Sequence, residues 1–169
     1  MPSESPTKKP IQAPAKRVPD PALAREIERE HVSVREAVAA LRGEIARLRA
    51  EPGPHHAPDR LSGMLGMFRV HLARHFALEE QGHFLGDLPA PRDPGVQRIV
   101  EDLLADHRGF ERAVGRLLDA SQRADDGDAE LTEVFTQSLS GFLDDLERHE
   151  RTENELIQEL ANRDVGAVD

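Results

Sequence analysis

The stretch His71-Leu72-Ala73-Arg74-His75-Phe76-Ala77-Leu78-Glu79-Glu80 and a weaker echo, His149-Glu150-Arg151-Thr152-Glu153, each carry a Glu four residues after a His. On a helix that spacing sets the two side chains one turn apart on a single face. The residues leading in decide which face it is. Leu61, Leu65, Phe68 and Leu72 approach His75 at steps of three and four, so His75 and Glu79 continue an apolar stripe. Phe135, Leu139, Phe142 and Leu146 lead in the same way to His149 and Glu153, and Leu156 and Leu160 follow. A polar or charged group buried without a partner costs several kcal/mol. Two such pairs inside core stripes therefore require an internal partner, and a metal ion is the simplest one.

Two further stripes flank these, and each is interrupted by a single His. Asp20-Pro21 reads as a helix start, a capping carboxylate followed by Pro at the first helical position. From there Leu23, Ile27, His31, Val34, Val38, Leu41, Ile45 and Leu48 step by three and four to the neighbourhood of Glu51, before Pro52-Gly53-Pro54. Residues 52–59 form a turn whose His55 and His56 are read as solvated rather than metal-binding. The second helix spans about Asp59 to His83, and Leu88 to Pro94 reads as a loop. The third helix starts near Gly95 and its stripe runs Val96, Val100, Leu103, His107, Phe110, Val114 and Leu117. Asp125-Asp126-Gly127-Asp128 makes a tight connection to a fourth helix from about Ala129 to Asn162. Four long helices on short connections predict an all-α fold, an up-down-up-down antiparallel four-helix bundle, in preference to a dimer of helical hairpins. The expected organisation is a disordered N-terminal tail over 1–19, the bundle over 20–163 and a frayed C-terminus over 164–169.

Composition narrows the function. A chain of 169 residues holds one such domain and a tail, and Phe is its only aromatic residue. The net charge of −10 opposes a nucleic-acid role, which needs a basic face. Without Cys there is no disulfide, thiolate ligand or Cys nucleophile. No apolar run approaches the ~20 residues of a membrane span, and the N-terminus carries no apolar signal region, so a cytoplasmic location is the default reading. The Pro-rich tail carries Lys8, Lys9, Lys16 and Arg17 against Glu4 and reads as a solubilising leader.

Each helix thus contributes one core imidazole: His31, His75, His107 and His149. His31 and His107 lie in the first half of helices running one way, His75 and His149 in the second half of helices running the other, so all four can meet on one level. With Glu79 and Glu153 they form a set of nitrogen and carboxylate donors that suits a pair of iron ions, with zinc as a substitute. This pattern resembles the hemerythrin-like (HHE cation-binding) domain over about residues 21–162. The matching words are Glu30-His31, His75-Phe76 with Glu79-Glu80, Asp106-His107, and His149-Glu150 with Glu153. The resemblance implies that the four His are ligands and that Glu79 and Glu153 bridge two non-haem irons, in a carboxylate- or oxo-bridged centre. Oxygen-carrying hemerythrins have a second His one turn after the third-helix His, where this chain has Glu111, and an Asp where it has Asn154. The chain therefore sits nearer the broader HHE group than the oxygen carriers.

His71 and Glu111 are additional candidate donors, each one turn from a core His. Glu80, Asp106 and Glu150 are adjacent in sequence to core residues and are read as rotated off the stripe, solvated or partnering a neighbouring imidazole. The Glu-x-x-His spacing of ferritin-like di-iron bundles occurs at Glu28/His31 and Glu80/His83 only, on consecutive helices, and is rejected. The function expected is binding, sensing or removal of O2, hydrogen peroxide or NO, with catalase-like peroxide decomposition as the leading activity. A regulatory module without catalysis and a reversible O2 carrier are the alternatives, and the outer bundle faces are candidate homodimer surfaces.

Overall fold

A computed structural model of the chain describes residues 21–50, 57–81, 93–124 and 129–165. They form four helices: α1 (Pro21–Ala50), α2 (Ala57–Gln81), α3 (Pro94–Ala124) and α4 (Ala129–Val165). The expected N-terminal tail and the His55-His56 pair lie outside the described residues. Neighbouring helices run antiparallel. Glu30 of α1 meets Arg74 of α2, while Glu44, further along α1, meets Arg60, earlier on α2. The same reversal relates α3 to α4, where Phe110 packs on Phe142 and His107 on His149. The result is an all-α, up-down-up-down four-helix bundle.

Helix ends follow local chemistry. Pro94 is the first residue of α3 rather than the last of a loop. Proline lacks an N–H, which costs nothing at the first helical position. Asp93 accepts the Gly95 N–H on Oδ1 at 2.8 Å, and its carbonyl takes the Gln97 N–H at 3.2 Å. The cap therefore belongs to Asp93. At the other end of the chain α4 continues to Val165, beyond Asn162, because nothing breaks it before Gly166.

The stripes pack into one large apolar core. Val34, Leu41, Leu61, Leu65, Phe68, Leu72, Val114, Leu139, Leu143 and Leu146 are among its members, all essentially removed from water. A smaller apolar cluster of Val96, Leu103 and Leu156 stands apart from it. In sequence His107 falls between Leu103 and Phe110, and His149 between Leu146 and Leu156, so the polar layer lies between the large core and the small cluster. Ion pairs lace the outside. Glu26 and Glu30 share Arg74 across α1 and α2. Arg42 of α1 reaches Asp144 at 2.7 Å and Glu147 at 3.1 Å on α4. Apart from that clasp, α1 and α4 approach each other least of the adjacent pairs. None of the described helices is long and apolar enough to cross a membrane.

Stability should rest on the core rather than on the clasp. Leu65→Ala and Leu143→Ala should each cost about 2–5 kcal/mol, the range for opening a cavity at a fully buried Leu. Arg42→Ala, which removes partly exposed ion pairs, should cost less than about 1 kcal/mol. Urea unfolding followed by far-ultraviolet circular dichroism would separate these, and equal losses would contradict the packing described.

Candidate metal centre

The polar layer is assembled by the helical spacing itself. His75 and Glu79 occupy successive turns of the inward face of α2, both with no exposed surface. His107 on α3 and His149 and Glu153 on α4 are buried to nearly the same degree. His31 on α1 is the most open of the four imidazoles, its side chain 13% exposed.

Glu79 stands at the middle of the group. Its Oε1 lies 3.3 Å from His31 Nε2 and 3.1 Å from His75 Nε2. Its Oε2 lies 3.4 Å from His107 Nε2, and His107 Nε2 is 3.1 Å from His149 Nε2. One carboxylate therefore faces two imidazole pairs, one with each oxygen. On the first side, donor atoms of His31, His75, Glu79 and Glu153 all lie within 4.8 Å of one another.

Rings fix the imidazoles in place. Phe76 stacks on His107 with centroids 4.0 Å apart and planes 10° from parallel. Phe110 meets His149 edge to face at 5.3 Å. Behind His107, the Glu80 carboxylate sits 2.9 Å from Nδ1. Asp106 stands 3.6 Å from the Nδ1 of His149. Such partners orient an imidazole and raise its basicity as a ligand.

Burial dominates the electrostatics of the layer. Burial pushes the Glu79 carboxyl up to about 8. Burial, followed by the neighbouring Glu79, pushes Glu153 up to about 8 as well. Burial holds His75 down to about 3 and His149 down to about 4, and lowers His107 against the pull of Glu80. Without a metal, His75, His107 and His149 are neutral and Glu79 and Glu153 protonated near neutral pH. Both oxygens of Glu153, Oε2 of Glu79 and both nitrogens of His75 are buried without a hydrogen bond of good geometry, although Glu79 and Glu153 are close enough to shift each other. Unsatisfied buried groups are rare and call for a reason. Nitrogen and oxygen donors that converge without partners fit a divalent or trivalent cation.

The remaining candidates are placed elsewhere. Among the described residues, neither His71 nor Glu111 joins the four donors that converge within 4.8 Å. His71 is half-buried and Glu111 is exposed on α3. Asn154 turns outward and its Nδ2 donates to the Glu150 carbonyl at 2.7 Å. Glu28 is exposed, in keeping with the rejected Glu-x-x-His pattern.

Glu150 departs from the reading that set it off the inward stripe. Thr136, Leu143, Glu150 and Ile157 recur every seven residues on α4, and Thr136 and Leu143 are fully buried. Glu150 shares that inward column, half-buried, with Oε1 buried and unpartnered. The seven-residue spacing was the signal for it.

The family model described as Hemerythrin HHE cation binding domain matches residues 22–161 of this chain. No curated protein and no solved structure matches it at a significant level.

The carboxyl shifts predict how metal binding depends on pH. Between about 4.5 and 8 the folded metal-free protein keeps protons on Glu79 and Glu153 that the unfolded chain has released, so these groups lower its stability as pH rises. His75 and His149 act oppositely, adding stability as pH rises toward 6.5. A bound cation must displace the carboxyl protons. The rise in Tm produced by excess Co2+ should therefore be larger at pH 8 than at pH 6, and Glu79→Gln should shrink that difference. An equal rise at both pH values would contradict the assignment.

Proposed function

We propose, on the premise that this chain belongs to the hemerythrin HHE cation-binding domain family, that its buried layer holds two iron ions and serves to bind and remove small oxidants, peroxide foremost. The observation that carries the reading is the division of Glu79, whose two oxygens face two separate imidazole pairs. A carboxylate so placed could serve two ions, one with each oxygen. His31 and His75, with Glu79 and Glu153, would hold one ion. His107 and His149, with the second oxygen of Glu79, would hold the other.

An iron pair supplies reversible one-electron chemistry and open positions for O2, peroxide or NO. The protein's own part is to hold and to shield. Phe76 and Phe110 fix the ring planes of His107 and His149. The apolar core on one side and the small cluster on the other limit water around the layer. The partly exposed His31 marks the side where the layer comes nearest to solvent.

The positions that distinguish this chain from oxygen carriers support removal over carriage. Exposed Glu111 stands where the carriers have a His ligand, and Asn154 is bonded to its own helix, so one neutral nitrogen is lost while Glu79 and Glu153 remain as acids. The donor set is correspondingly richer in carboxylate, which favours the ferric state. Reduced, iron-loaded protein should be oxidised by O2 without recovery under vacuum, and should release gas from added hydrogen peroxide. Ultraviolet–visible spectra and an oxygen electrode would follow the two reactions, with Glu79→Ala as the inactive comparison. A spectrum that appears with O2 and disappears under vacuum would make the protein a carrier. Iron-loaded protein inert to both oxidants would point to a regulatory role instead.

A further inference from the structure

Glu150 is the polar group beside the layer that the foregoing assignments leave unused. It sits in the column Thr136, Leu143, Glu150, Ile157, which α4 turns inward. Helical rotation separates it by about 100° from His149, which faces α3, and carries it toward α1. Across that gap, His31 and Arg35 of α1 lie close enough to act on its carboxyl. Its Oε1 is buried and receives no hydrogen bond. Asn154, one turn further along α4, bonds the Glu150 backbone carbonyl.

A carboxylate in an inward column should be expelled or satisfied. Expulsion was available, since α1 and α4 are the least closely packed neighbours and solvent lies close by. The side chain nevertheless keeps one oxygen inside. One turn further along α4, Glu153 is 1% exposed with both oxygens unpartnered, and on α2 the buried His75 is unpartnered too. Glu150 stands outside the four donors that converge within 4.8 Å, one turn before Glu153 on α4 and within the electrostatic reach of His31.

We propose that Glu150 is a further metal-binding carboxylate, a donor that reaches the His31 side of the layer through the gap between α1 and α4. It makes that side richer in carboxylate than the His107 side, whose extra acids Glu80 and Asp106 stand behind imidazoles instead of among the donors. The two positions are therefore unequal, and the ion held by His31, His75 and Glu153 binds more tightly and first. This inference rests on the metal-binding reading above.

The test uses the full chain, metal-free, titrated with Co2+ and followed by calorimetry and visible absorption. Wild type should show two unequal sites. Glu150→Gln, which keeps the volume, should weaken the tighter one by at least the roughly tenfold that loss of even an outer partner produces. Its Co2+ absorption should grow stronger as the coordination number falls. Glu147→Gln, one turn earlier and paired with Arg42 on the outside, should change neither. Circular dichroism of the metal-free variants controls for folding. Two sites in wild type with affinity and spectrum unchanged in Glu150→Gln would overturn the role of Glu150 alone. No Co2+ binding in wild type would overturn the metal-binding reading and this inference with it.

Discussion

A carboxylate with no exposed surface, set among three imidazoles and, among the described residues, paired with no Arg or Lys, is the constraint on which this bundle turns. Burial disfavours the ionised form of Glu79 there and raises its proton affinity, which a positive partner would offset. Arg74, the nearest cation on the same helix, is turned outward to Glu26 and Glu30. Two apolar clusters bracket the layer and keep bulk water from taking the partner's place. The interior is thus arranged around a positive charge that the polypeptide itself does not provide. Family membership and geometry agree on cation binding.

The cost of this arrangement falls on one level of the bundle and is offset elsewhere. Leu41, Leu61, Leu65, Phe68, Leu139 and Leu143 supply a dense core on one side, and the helices need no help from the polar layer to pack there. Unpaired donors in such a setting are preorganised: they are held in place by the fold before any ion arrives. Stacking of Phe76 on His107 shows the same economy, since one ring both fills the core and fixes a nitrogen donor. The weak approach of α1 to α4 leaves one side of the layer less enclosed, where His31 and Glu150 stand.

Much of this was legible in the chain. The His-to-Glu spacing on α2 and α4 and the apolar stripes through all four His were enough for the bundle, because helical periodicity maps directly onto faces. Other features depend on contacts that no single stripe records. Pro94 reads as loop punctuation until Asp93 is seen to cap it. Glu150 looks displaced because it follows His149, yet α4 faces both α1 and α3 and so turns three columns inward, not two. The division of the Glu79 oxygens between two imidazole pairs depends on how far each helix slides along its neighbour, and periodicity is silent on that. Burial also separates groups that spacing treats alike: His71 and Glu111 each lie one turn from a core His, but only partly buried or exposed.

The account stands or falls on what fills the layer. Elemental analysis of protein produced with iron supplied, normalised to chain concentration, asks this directly. The proposed division of Glu79 between two imidazole pairs predicts two irons per chain. A single zinc, or a well-folded protein that holds no metal under these conditions, would contradict it.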